Sequence, residues 1–202
     1  MWTPIMKSLD IEEKGQSLKL TIAMEDLMLI NYKNFRIRNA AAIDSTLLSK
    51  WWNDGTVMAH AGFPNGTGQT SMSMSESLQH DSDDTHRRLI IEVDGTPIGE
   101  MNYRNKGDAV AEIGIKICDF SKHEKGYGRI LLSLLIKELF IMGYEKIILD
   151  TNLNNTRAQH VYEMLGFSKS RVNINSWKNQ LGESQSSVDY ELLQSRFINY
   201  AK

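Results

Sequence analysis

Hydrophobic and polar positions along the chain change period several times, and the changes mark out its elements. Leu18, Leu20, Ile22 and Met24 alternate with polar residues as a half-buried strand does, until Leu27, Met28 and Ile30 break the period. Strand, helix and partly ordered extension all stay open for residues 1–32. The pattern clears at Phe35. Residues 35–38 read as a short strand, and Asp44 is placed to cap a helix with Leu47, Leu48 and Trp51 at helical spacing. Residues 62–86 form a long connection rich in Gly, Ser, Asn, Met and Asp, with one helix expected around residues 72–78; a connection of this length is usually functional or mobile. Residues 89–93, the turn pair Asp94-Gly95 and residues 97–103 predict a β-hairpin, and residues 109–118 a further strand.

Residues 127–142 read as a largely buried helix, apolar on all faces except a stripe of Arg129, Ser133 and Lys137, with Gly143 as its stop. The apolar run 146–150 predicts a strand buried on both faces. Asn155 is placed to cap a helix carrying Ala158, Val161, Tyr162 and Leu165 on one face and closed by Gly166. Two strands, residues 170–177 and 187–193, close the chain. Hairpins followed by strands alternating with helices give an α/β architecture with a mixed sheet.

Composition narrows the field. The 202 residues carry 41% hydrophobic and 24% charged side chains, ordinary usage for one globular domain. A formal charge of −2 gives no reason to expect a nucleic-acid partner. The longest apolar stretch, residues 130–142, is interrupted by Ser133, Lys137 and Glu138 and is too short to span a bilayer, so no membrane partner is expected. Cys118 stands alone, which excludes an intrachain disulfide and fits a reducing cytoplasm; a cytoplasmic protein is the expectation. No metal is expected. No two histidines have helical metal-ligand spacing, and residues 81–84 lack the glycine and terminal Glu of a calcium loop.

The most informative stretch is His123-Glu-Lys-Gly-Tyr-Gly-Arg129, which leads from the strand at 109–118 into the long helix. Two glycines at such a junction let the backbone approach a ligand and turn its N–H groups inward, and the helix N-terminus adds positive partial charge. A tight turn with a glycine helix start explains the same residues. The wider arrangement resembles the GNAT superfamily of N-acetyltransferases. Its coenzyme motif, Q/R-x-x-G-x-G/A after a strand ending in a splayed bulge, is matched by His123, Gly126 and Gly128, with His123 where the family usually has Gln or Arg. The family's N-x-x-A-x-x-x-Y-x-x-x-G-F pattern appears in full as Asn155, Ala158, Tyr162, Gly166 and Phe167, and residues 188–192 look like its last strand. The resemblance covers about residues 35–193. It implies an α/β fold of α+β type, with a mixed, mostly antiparallel sheet of about seven strands and helices on both faces. It also divides the chain into an extension, 1–32, and an acetyltransferase domain, 33–202.

The same resemblance implies acetyl-coenzyme A as co-substrate. The backbone of Lys116, Ile117 and Cys118 would pair with the pantetheine arm, and Asn155 would bond it. His123 and the backbone of Lys125, Gly126, Tyr127, Gly128 and Arg129 would hold the pyrophosphate. Tyr162 matches the family's general acid, although its spacing equally suits a core aromatic. Glu112 and Asp150 match acidic residues used as base in different branches, and either is also explained as a solvated strand-end charge. Trp51, Trp52, Phe63 and residues 71–77 are candidates for an acceptor pocket, with helix packing the competing account of Trp51; Trp177 suits either role. The Trp-Trp-Asn-Asp stretch and the position of Asp150 look most like the aminoglycoside 6′- and ribosomal-protein acetyltransferase branch. The acceptor is then expected to be a small cationic amine. The alternatives are a protein N-terminus, or a catalytically silent acetyl-coenzyme A-binding module. A homodimer is a possible assembly.

Overall fold

The computed structural model describes residues 9–13, 16–20 and 28–202. Ile22 and Met24 of the alternation noted above, and Leu27, which breaks it, lie outside the described residues. Strands β1 (Leu9–Glu13) and β2 (Gln16–Leu20) pair antiparallel as a separate two-stranded sheet. The main sheet has eight strands rather than about seven. They are β3 (Leu29–Tyr32), β4 (Phe35–Asn39), β5 (His86–Val93), β6 (Thr96–Asn105), β7 (Val110–Ile117), β8 (Lys146–Asn152), β9 (Ser168–Lys178) and β10 (Ser184–Leu193). Their order is β3-β4-β5-β6-β7-β8-β10-β9, antiparallel throughout except for β7 with β8. The sheet therefore begins at Leu29, ahead of the boundary expected at residue 33.

Helices cover both faces. On one face α4 (Tyr127–Ile141) and α5 (Thr156–Met164) bury Leu131, Leu135, Leu139 and Tyr162 against Leu89, Met101, Ile147 and Tyr190. Each leucine so buried contributes ~1.5–3 kcal/mol of transfer free energy. On the other, α1 (Ser45–Asn53) and α3 (Ser71–Leu78) enclose Leu48, Met74 and Leu78 with Ile90 of β5. A short helix α2 (Gly55–Met58) follows α1, its first turn capped by the Asp54 carboxylate. Asp94 and Gly95, with φ of 52° and 74°, form the tight β5–β6 turn that the sequence predicts. Among the described residues no helix is long and apolar enough to cross a membrane.

Three local expectations need correction. Asp44 precedes α1, but its side chain caps nothing there; it accepts from the Arg38 guanidinium and the Ala41 N–H. The polar stripe of α4 does not face water throughout: Ser133 is fully buried and accepts a hydrogen bond from the Tyr200 N–H. Strand β8 is buried on one face only. Ile147 and Leu149 enter the core, while Ile148 is half-buried and Asp150 exposed.

Candidate active site

The parallel pairing of β7 with β8 covers Val110–Glu112 against Lys146–Ile148 and then stops, although both strands continue. Each strand keeps its antiparallel neighbour instead, β7 staying on β6 to Ile117 and β8 on β10 to Asn152. Antiparallel pairing is the slightly stronger of the two, so the parallel seam is the one that opens. The opening widens into a cleft of about 1550 Å³ lined by β6–β8, the glycine loop, α5 and residues 56–61. The Cys118 and Asp119 N–H groups both donate to the Ile98 carbonyl of β6, at 2.8 and 3.0 Å. By ladder alternation, the backbone polar groups of Ile115 and Ile117 point the other way, into the gap. His123 Nε2 lies 2.8 Å from the Ile117 carbonyl and fastens the loop to the end of β7.

The glycine loop shows why two glycines stand there. Gly126, with φ of 74°, is the N-cap of α4 and has no side-chain cap, so the first helical N–H groups are left for an external acceptor. Gly128 is different. It is helical, and an added Cβ would meet no protein atom within 4 Å. Glycine in a helix is worse than alanine by about 1 kcal/mol, and nothing on the protein side requires it here. The space it leaves belongs to the cleft, where an anionic ligand can approach the helix N-terminus. Arg129, Lys122 and Arg157 add positive charge along this wall. A ligand with phosphates at one end and amides further along fits these features.

The predicted coenzyme residues do not all reach the cleft. Lys116, Ile117, His123, Gly126, Tyr127, Gly128, Arg129 and Asn155 line it; Cys118 and Lys125 do not. Lys125 is exposed. Cys118 is buried, and burial followed by the charge of Glu100 pushes its thiol up to about 12, far from a reactive thiolate. Tyr127 contributes backbone here, while its ring packs edge-on against Phe35 at 5.0 Å. Asn155 caps α5 by accepting from the Ala158 N–H and also contacts the Thr151 hydroxyl.

Tyr162, Glu112 and Asp150 all line the cleft. The ring of Tyr162 is held by Phe167 and Tyr190, at centroid distances of 5.9 and 5.6 Å, and its hydroxyl has no partner among the described residues. Burial, then the negative charge of Asp150, pushes this phenol up to about 12, so it stays protonated. The two carboxylates differ. Glu112 is paired with Lys106 at 2.9 Å and lies 3.8 Å from Arg104. Asp150 has no cation within ion-pair distance among the described residues. Although open to the cleft, it is poorly hydrated between the cleft walls. That desolvation, followed by the charges of Glu112 and Asp189, holds its carboxyl above the usual range.

Of the residues marked for an acceptor pocket, Trp177 alone lines the cleft. Trp51, Trp52, Phe63 and α3 are not among its lining. Trp52 instead donates its indole N–H to the buried Glu100 carboxylate, which also holds Lys116 at 2.9 Å. Residues 56–61 and Trp177 form the wall. Trp177 packs on Gly62 so closely that an added Cβ would lie 2.5 Å from its ring. Gln180, in the β9–β10 turn, locks the two sides together. Its N–H donates to the Gly62 carbonyl at 2.8 Å, its Oε1 accepts from the Asn65 N–H at 2.9 Å, and its Nε2 donates to the Gly66 carbonyl at 3.0 Å. One missed residue had a legible signal. Gly114 lies mid-strand, where glycine marks a close approach, and the Asn102 amide fills the space beside it.

The family model described as the acetyltransferase (GNAT) family matches residues 56–167. No curated protein sequence matches the chain. Solved structures with the same fold include a spermidine N-acetyltransferase from Vibrio cholerae in complex with CoA and spermine. It is 23% identical over 82% of this chain and 99% of its own, with a TM-score of 0.73. The ribosomal L7/L12 α-N-protein acetyltransferase RimL in complex with coenzyme A is 13% identical over 82% and 98%, with the same TM-score of 0.73. A GNAT-family acetyltransferase from Bacillus anthracis is 19% identical over 83% and 99%, with a TM-score of 0.69.

Proposed function

The chain belongs to the GNAT acetyltransferase family, and from that premise we propose that it transfers the acetyl group of acetyl-coenzyme A to a small cationic primary amine, such as a polyamine or amino sugar. The observation that carries the coenzyme reading is the open space at Gly128, above a helix N-terminus and beside strands that have parted. The α4 N-terminus and Arg129 would hold the pyrophosphate, and the gap-facing backbone groups of Ile115 and the Ile117 N–H would pair with the pantetheine amides as an added strand does. Bound there, acetyl-coenzyme A supplies an activated acyl carbon in a thioester.

The chain's own residues then have two proton tasks. An alkyl ammonium, with a pKa of roughly 10, must lose a proton before it can attack. Asp150, lacking a counter-charge and raised above the ordinary carboxylate range, is suited to attract that ammonium and to accept the proton, directly or through water. Tyr162, protonated and with its hydroxyl unengaged, is suited to give a proton to the departing thiolate. Glu112 acts on this reading through its charge, raising Asp150, while Lys106 occupies its carboxylate.

Two features favour a small cation over a protein N-terminus. Asp150 offers an amine an uncompensated negative charge, and the Gln180 lock with Trp177 closes the wall that a polypeptide would have to cross. The similarity to a spermidine N-acetyltransferase structure agrees with this choice. The test is release of coenzyme A from acetyl-coenzyme A with spermidine, an amino sugar and a short peptide as acceptors. Turnover of at least one small cationic amine well above the peptide is expected. Turnover of the peptide alone would transfer the reading to protein N-termini. Tight acetyl-coenzyme A binding with no turnover of any acceptor would support a silent module.

A further inference from the structure

Residues 197–202 run back along α4 after β10 and are tied down at several points. The Phe197 ring packs against Phe140 at 5.8 Å, and the Ile198 N–H donates to the Leu165 carbonyl at 3.0 Å. The Tyr200 N–H donates to Ser133 Oγ at 3.0 Å, and the Tyr32 hydroxyl donates to the Lys202 carbonyl at 2.5 Å. Gly166 makes room for the segment's approach: a Cβ there would lie 2.0 Å from the Arg196 carbonyl oxygen. This bracing sets the Tyr200 ring under the guanidinium of Arg129, 5.3 Å from ring centroid to guanidinium carbon.

Arg129 occupies an unfavourable place for a cation. It lies in the first turn of α4, where the helix presents its own positive end. Its guanidinium reaches back over Gly126, with Nη2 3.3 Å from where a Cβ on that glycine would be, and it borders the cleft. Among the described residues no carboxylate pairs with it. A carboxylate would fix the side chain but would also cancel its charge and occupy its N–H groups. An aromatic face fixes it by attraction to the ring's electrons and leaves charge and N–H donors available.

We propose that Tyr200 is a positioning residue for coenzyme binding, its ring holding the Arg129 guanidinium preset over the glycine loop, with its N–H donors unspent, to receive a phosphate. The proposal rests on the reading that residues 123–129 take the coenzyme's phosphates, and it adds a residue some 70 positions away to that site.

Calorimetric titration with coenzyme A tests it on the parent protein, Tyr200→Leu, Tyr200→Phe, Arg129→Ala and the double variant Arg129→Ala/Tyr200→Leu. Tyr200→Leu is expected to weaken coenzyme A about threefold to tenfold, and Tyr200→Phe, which keeps the ring, less than about twofold. In the Arg129→Ala background, Tyr200→Leu is expected to add nothing, an outcome that a merely structural role for the ring would not produce. Where Tyr200→Leu melts early, Tyr200→Met keeps the packing volume and removes the ring. Unchanged affinity in folded Tyr200→Leu or Tyr200→Met, or full additivity with Arg129→Ala, overturns the proposal. Gly128→Leu separates the two readings. Retained affinity there removes the phosphate loop itself, whereas loss there and in Arg129→Ala, with none in Tyr200→Leu, removes only the role of Tyr200.

Discussion

At the scale of single residues, the site separates what the protein needs from what a ligand needs. Gly128 is the clearest case, because its replacement has opposite effects on the two. Gly128→Leu puts a better helix former into α4 and meets no protein atom near the backbone, so thermal stability is expected to hold or rise by a few degrees. Coenzyme A affinity is expected to fall at least about tenfold in the same protein, because the side chain fills the phosphate approach. Loss of affinity accompanied by unfolding would not support this account. Asp150 shows a similar opposition. Its folded carboxyl is raised above the unfolded value, so its contribution to stability is greatest while it is protonated and is lost as pH rises through the folded value. Asp150→Asn is therefore expected to melt higher than the parent at pH 7, with the gap closing toward pH 4, while kcat/KM for the amine drops about 10²-fold. A variant less stable at pH 7 would show that the carboxylate is favourably held in the fold. Tyr162→Phe keeps the packing on Phe167 and Tyr190 and removes only the free hydroxyl. It is expected to lower kcat about 10²-fold with coenzyme A affinity nearly unchanged. Near-parental kcat would leave Tyr162 as a core aromatic.

At the scale of elements, local chemistry was legible and distant contacts were not. The Asp94-Gly95 turn, the Asn155 cap and the glycine loop are each set by a few neighbouring residues, so their signals lie together in the sequence. Strand β8 reads in the sequence as buried on both faces because an apolar run looks the same whether one or both faces are covered; Asp150 lies past the last residue paired with β7, at the cleft. Strand β3 was hidden because Leu29 and Asn31 are exposed while Ile30 and Tyr32 are only partly buried, which blurs the alternation. The Trp52–Glu100 contact and the Gln180 lock join segments remote in sequence, which no period or spacing encodes, and the Lys106–Glu112 pair depends on how the β6–β7 hairpin folds its arms together. The lock makes an element-level expectation of its own. Gln180→Ala removes two side-chain hydrogen bonds and loosens residues 62–66 from the β9–β10 turn. The ratio of kcat/KM for a bulky amine to that for a small one is expected to rise several-fold, with KM for acetyl-coenzyme A unaltered. An unchanged ratio would show that this wall does not select the acceptor.

At the scale of the whole molecule, the parted seam between β7 and β8 makes the sheet an unfinished one. Two halves, each continuous through antiparallel pairs, meet across only three residues on either side, and beyond those the backbone of Ile115 and Ile117 faces the gap. A ligand that pairs with those groups does the work of a missing strand, so it belongs to the folding equilibrium as well as to the reaction. Coenzyme A at a hundred times its Kd should stabilise the folded state by about 2.7 kcal/mol. The gain should not be spread evenly. Amide hydrogen exchange is expected to slow most at Ile115 and Ile117 and at the first turn of α4, while β4 and β5, each already paired on both sides, stay nearly unchanged. Slowing distributed uniformly over the sheet would mean that the seam is already closed to solvent. If the pattern holds, the same few peptide groups that let the chain take up its co-substrate also set how readily its two halves come apart.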